Sequence, residues 1–132
     1  MFNLFKSKPK PVAAPAQNDE PPGEAEKVTR IKHLCWMAGM SGESIAGLSE
    51  AELQDEHMQY EFNRFTKLQH EAINLAREIT DTFYRDAALH LLIDSYMMAG
   101  YEAEAKRIYE LIETDIIQDE VRKVYPRLAA KF

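Results

Sequence analysis

The stretch that most constrains this chain is Thr82–Gly100, TFYRDAALHLLIDSYMMAG. On a helix of about 3.6 residues per turn, Phe83, Tyr84, Ala87, Ala88, Leu89, Leu91, Leu92, Ile93, Tyr96, Met97 and Met98 cover nearly the whole circumference. Only Thr82, Asp86, His90 and Asp94, spaced four apart, line up as a narrow polar stripe. A helix this apolar is surrounded by neighbours on most sides. Asp81 suits the N-cap and Gly100 the position just past the end, so both termini are punctuated. The stretch predicts the central helix of an all-α domain.

The flanking sequence supplies the neighbours. In residues 25–39, Val28, Ile31, Leu34, Cys35 and Ala38 form one apolar face, with Trp36 and Met37 beside it to help dock the helix. Gly39 and the following MSGESIAGLS run predict its end and a loop. Ser49 and Glu52 read as a capping box opening a second helix, through Leu53, Met58, Phe62 and Phe65 to about Lys67. A third covers Leu68–Ile79, burying Leu68, Ala72, Leu75, Ala76 and Ile79. Beyond the central helix, residues 102–113 bury Ala105, Ile108, Tyr109 and Ile112. Asp115 caps a last helix with Ile117, Val121, Val124, Tyr125 and Leu128, which Pro126 interrupts.

Residues 1–24 differ in kind. Five of the six prolines fall within residues 9–22, and core-forming residues are scarce after Phe5, which predicts a disordered arm ahead of a helical domain over 25–132. Its tip, Met1, Phe2, Leu4 and Phe5, is apolar and is followed by Lys6, Lys8 and Lys10. That pairing reads as a tethered hook for an apolar groove or an anionic membrane surface, so membrane contact is confined to residues 1–10. The net charge is −6, and the +3 of residues 1–10 leaves −9 for the remainder. An acidic body repels phosphate backbones, which argues against nucleic acid and for a basic or apolar protein partner. The single cysteine, Cys35, excludes an intrachain disulfide and points to a reducing, cytoplasmic setting. No stretch is long and apolar enough for a membrane span.

From Leu89 onward the chain reads Leu89-x-x-Leu92-Ile93-x-x-Tyr96, then Gly100, then Ala105-x-x-x-Tyr109. This pattern resembles the tetratricopeptide repeat: small Ala105 permits close helix approach, Tyr96 and Tyr109 fill the gap, and Gly100 makes the turn. Ile93, Ile112 and Ile117 stand where the repeat usually has Gly, Ala and Pro. A degenerate copy precedes it, with Ala72, Leu75 and Ile79 echoing Ala105, Ile108 and Ile112 at a spacing of 33, and Phe62 in the place of Tyr96. The resemblance implies antiparallel helix hairpins stacked as a short solenoid. Two repeats are few, so flanking helices 25–39 and 116–131, or a second copy of the chain, would close the stack. Exposed Tyr and Met at one end would favour a homodimer.

Catalytic motifs are missing: no Gly-x-Ser-x-Gly, no phosphate-cradling Gly-rich loop and no His-Glu-x-x-His. A helical di-iron centre needs Glu three residues before His, and those positions hold Arg30, Gln54, Lys67 and Ala87. Cys35 and His33 lie on different sides of a helix, and Cys35 reads as a buried structural thiol. Asp86–His90–Asp94 admits three readings: a solvated stripe, a divalent-ion site helped by His57 and Glu61, or part of a peptide groove. The resemblance implies the third, because tetratricopeptide arrays bind through a concave face lined by the first helix of each pair. That groove would hold Asp86, His90 and Asp94 with Glu56, Gln59 and Asn63, and its acidity would suit a basic peptide. Phe2, Leu4 and Phe5 would make a second contact. The chain is thus expected to be a non-enzymatic adaptor, assembly factor or small chaperone, with neither cofactor nor metal. The alternative is a small acidic inhibitor or mobile-element protein that blocks a basic, nucleic-acid-binding partner.

Overall fold

The computed structural model describes residues 23–130, and among these every regular element is a helix. In order they are α1 (Glu24–Ile45), α2 (Glu50–Leu53), α3 (Glu56–Arg77), α4 (Thr82–Met98), α5 (Glu102–Tyr109) and α6 (Asp115–Val124), followed by a single 3-10 turn, Pro126–Ala129. The arm expected over residues 1–24 lies outside the described residues up to position 22. Glu24 is already the first residue of α1.

The central helix forms where its caps predict. The Asp81 carboxylate accepts from the Tyr84 N–H at 2.9 Å, and Gly100 takes the left-handed conformation, φ +84°, that ends it. Pro126 closes α6 and starts the 3-10 turn, as a residue without an N–H must.

Helix α5 stops at Tyr109, short of the expected residue 113, and two further boundaries differ from expectation. First, α1 runs straight through the predicted loop to Ile45, and the chain turns only at Gly47, φ +77°. Gly39 and Gly42 are buried against α4, and a Cβ on Gly42 would stand 2.8 Å from the Cβ of Ala99. These glycines admit a neighbouring helix instead of breaking their own; each costs roughly 1 kcal/mol of helix propensity, offset by the contact it allows. Second, the helix opened by Ser49 stops after one turn. Its capping box forms, the Ser49 N–H donating to Glu52 Oε1 at 2.8 Å, but Asp55 then caps a new helix by accepting from the N–H groups of His57 and Met58. From there α3 continues through Lys67 and Leu68, so the second and third predicted helices are one, and the degenerate repeat, which needs a turn between Phe62 and Ala72, has none.

Helix α1 packs on both α3 and α4, and α4 packs in turn on α5 and α6. The first pair is antiparallel. Arg64, early in α3, donates to Ser41 Oγ late in α1 at 2.9 Å, whereas Glu24 at the start of α1 accepts from the Thr80 and Asp81 N–H groups after α3. The main core gathers Ile31 and Leu34 of α1, Ala72 and Ala76 of α3, Leu92 and Ile93 of α4, Ala105 and Tyr109 of α5, Val121 of α6, and Leu128. A smaller cluster joins Ala38, Ile45, Phe65 and Ala99. The Phe65 ring there meets Tyr96 and Tyr101 edge-on, with centroids 5.9 and 5.5 Å away. Cys35 is buried as expected, and burial pushes its thiol up to about 12 against the smaller opposing effect of a hydrogen bond with Ser95. Trp36 does not dock α1: it is 65% exposed, because it lies on the side of the helix away from Ile31 and Ala38.

Candidate interaction face

The polar stripe of α4 does not form an open acidic groove. Asp86 is fully buried. Its Oδ2 accepts from the Glu113 N–H (3.0 Å), the Thr114 N–H (2.7 Å) and the Thr114 hydroxyl (2.6 Å), while Arg85 stands 3.7 Å from Oδ1. These are the free donors of the α5–α6 connection, so Asp86 anchors that loop to α4 and has no face to offer a peptide. Its place in a groove is thereby corrected. Asp94 is half-exposed, but its Oδ1 accepts from the Tyr125 hydroxyl at 2.7 Å. His90 Nε2 lies 3.8 Å from the same oxygen. Burial, and donation to Asp94, raise the pKa of Tyr125, so the phenol stays protonated and Asp94 acts as a second tie between α4 and α6.

The three residues expected from the second helix sit on α3. Gln59 donates to the Leu53 carbonyl at 2.6 Å and so closes α2, alongside a shallow cleft of about 280 Å³ lined by Glu50, Leu53, Gln54 and Phe62. Glu56 and Asn63 are exposed. Asp86 and Asp94 thus bind α6 and the loop before it, whereas Gln59 binds α2, and no hydrogen bond or ion pair among the described residues joins the two sets. Phe2, Leu4 and Phe5 lie outside the described residues.

A different surface carries the unpartnered groups. Among the described residues nine large apolar side chains are exposed, and seven stand on just three helices: Trp36 and Met40 on α1, Phe83, Tyr84 and Met98 on α4, Ile116 and Val124 on α6. Trp36 and Met40 are four apart on the outward side of α1. Tyr84, half-buried Leu91 and Met98 are seven apart, two helical turns each, and form one stripe on α4 opposite buried Ile93. The two stripes meet where Met98 leans over Gly39, its Sδ standing 2.6 Å from where a Cβ would be. The missing side chain at Gly39 lets the end of the α4 stripe approach α1 at the turn that also carries Trp36 and Met40. Trp36, expected beside the Val28–Ile31–Leu34–Cys35–Ala38 face to help dock α1, faces solvent instead, and its offset from that face is the sequence signal for this.

A second concavity, about 370 Å³, opens between α3, α4 and α5. Phe62, Phe65, Tyr96 and Tyr101 line it, with buried Gln69 beneath; the Ser95 hydroxyl donates to the Gln69 oxygen at 2.7 Å. Among the described residues no group of three or more His, Cys, Asp or Glu converges as metal ligands, and no helix is long and apolar enough to cross a membrane. No protein-family model, curated protein or solved structure matches the chain.

Proposed function

We propose that the protein is a non-enzymatic protein-interaction module whose binding surface is the outward face of α1, α4 and α6. The observation that carries this reading is the concentration of exposed Trp, Tyr, Phe and Met on that layer, when α3 exposes Tyr60 alone among large apolar groups and α5 none. Single exposed apolar residues are ordinary, whereas a contiguous patch of this composition is the usual mark of a partner surface. Trp and Tyr supply large contact area at low entropic cost, and Met adapts its shape to what it meets. The site favours an apolar partner over the basic peptide that the acidic stripe suggested, because Asp86 and Asp94 are engaged within the fold.

The order of helix packing supports a tetratricopeptide-like reading of the architecture. The α1–α3 and α4–α5 pairs would be its two hairpins, with α6 the closing helix, and α1, α4 and α6 would then be the binding-side helices of each unit. Such a module fits an adaptor, assembly factor or small chaperone working in the cytoplasm. The test is purification of the full chain with its stoichiometric partner, beside Trp36→Ser/Met40→Ser. Because both side chains face solvent, the double variant keeps its helix content and melting temperature and loses the partner. Unchanged partner recovery would remove this face from the function.

A further inference from the structure

On the reading of this face as a docking surface, we infer that its resident occupant is the tip of the same chain, Met1–Phe5, which seats on Trp36, Met40, Leu91 and Met98 until a partner displaces it. The described residues begin at Gly23, directly before α1, the helix that carries Trp36 and Met40. Trp36 lies twelve residues into α1, roughly 18 Å along its axis at about 1.5 Å per residue. Residues 6–22 separate the tip from Gly23, and 17 residues reach up to about 55 Å. The tip therefore reaches the patch on its own molecule with chain to spare.

Composition selects this occupant. Outside the described residues the only large aromatic or aliphatic groups before Gly23 are Met1, Phe2, Leu4, Phe5 and Val12. Four of the five fall within one five-residue segment, which matches the width of an apolar contact spanning two helices. Charge acts in the same direction. Lys6, Lys8 and Lys10 follow the tip, while residues 23–130 hold twelve Lys and Arg against twenty Asp and Glu. On the outward side of α1 exposed Glu43, one turn beyond Met40, is matched by exposed Lys32, one turn before Trp36, so the attraction for the lysines comes from the net charge of the body. Tethering makes the contact intramolecular, so a contact too weak to hold as a free peptide holds here, yet a partner of ordinary affinity displaces it. The tip would thus shield an aggregation-prone patch and set a threshold for partner binding.

Trp36 is the only tryptophan and is one of the exposed residues of the patch, so it reports on coverage. The full chain is compared with full-length Phe2→Asp/Phe5→Asp by tryptophan emission and acrylamide quenching. The double variant is expected to emit at longer wavelength, with a quenching constant about twofold higher, the contrast between a covered and an open indole. A synthetic peptide of residues 1–12 at about millimolar concentration should restore protection to the variant. Equal quenching of the two chains overturns the proposal, as does failure of the peptide to protect. Protection that fades on dilution together with loss of a dimeric mass assigns the tip to a second copy and overturns the intramolecular seat. Equal quenching beside partner loss in Trp36→Ser/Met40→Ser removes the tip and keeps the face as a binding surface. Tip-dependent protection with partner recovery unaffected by that face variant does the reverse.

Discussion

Helix α4 meets its two flanking neighbours by opposite means. Towards α1 the seam is one of shape: Gly39, Gly42 and Ala38 of α1 face Met98 and Ala99 of α4, and small residues let the backbones approach. Towards α6 the joint is polar, with Asp86 satisfying three donors of the α5–α6 connection and Asp94 holding Tyr125. A seam of small residues is degraded by adding atoms, whereas a buried carboxylate is degraded by removing them. The contrast also bears on function: the polar joint consumes the acidic residues of α4, and the close seam brings the end of the α4 apolar stripe up to the turn of α1 that carries Trp36 and Met40.

The largest expected effect lies at the polar joint. Asp86→Ala would leave the Glu113 and Thr114 N–H groups and the Thr114 hydroxyl without their acceptor. Unsatisfied buried donors cost about 1–3 kcal/mol each, and partial access of water to the loop brings the expected total to about 3 kcal/mol. Urea unfolding checks this, with the midpoint falling at unchanged slope. Asp86→Asn retains one oxygen acceptor and should lose less. A loss below about 0.5 kcal/mol for Asp86→Ala, the range of an ordinary surface change, would mean that the joint is not what fixes α6.

The seam should respond to added volume, and unequally along its length. At Gly42 a new Cβ meets the Cβ of Ala99 at 2.8 Å and its Cα at 3.2 Å, both carried directly by the backbone of the partner helix. Gly42→Ala therefore forces the helices apart; overpacking of about 1–3 kcal/mol exceeds the helix-propensity gain of about 1 kcal/mol, for a net loss of about 1 kcal/mol. At Gly39 the new atom meets the sulfur and methyl of Met98, the free end of a flexible side chain. Met98 swings aside there, and Gly39→Ala should be neutral or stabilising by up to about 1 kcal/mol. Equal destabilisation by both substitutions would show that the seam is uniformly tight and that Met98 is fixed.

These two joints also mark what was legible in the sequence. The all-helical class and the ends of α4 follow from local chemistry, since Asp81, Gly100 and the nearly unbroken apolar run act within a few residues. Gly39 and Gly42 misled because their reason is a contact with α4, more than fifty residues away, and a glycine in isolation signals only a weak helix. Asp55 lies in an acidic stretch where nothing marks one carboxylate as a cap, though it divides α2 from α3. Asp86 shares the spacing of an exposed stripe, but its partners are the backbone of residues 113 and 114, and spacing carries no information about a loop. Trp36 lies beside the apolar face of α1 in the sequence, but only its neighbours decide whether a flanking residue docks, and at Trp36 none covers it.

The smallest expected effect tests a third tie, from the first residue of α1 to the start of α4. The Glu24 carboxylate accepts from the Asp81 N–H at 2.7 Å and from the Thr80 N–H at 3.1 Å. Those donors, Asp81 foremost, hold its carboxyl below the usual range. Because the folded chain binds this proton less tightly than the unfolded chain, the contribution is fully present above an ordinary carboxyl pKa of about 4.3 and is lost as pH falls through the lowered value. Glu24→Gln keeps an acceptor oxygen but not the charge. Its melting temperature should lie slightly below that of the unmodified protein at pH 7, and the gap should close as the pH is taken down through the acid range. The site is open to solvent, so the effect is smaller than at either joint of α4, and salt reduces it further. A gap that stays constant from neutral to acid pH would assign the loss to packing of the side chain, and the N-terminus of α1 would then be held to α4 by shape, as its glycines are.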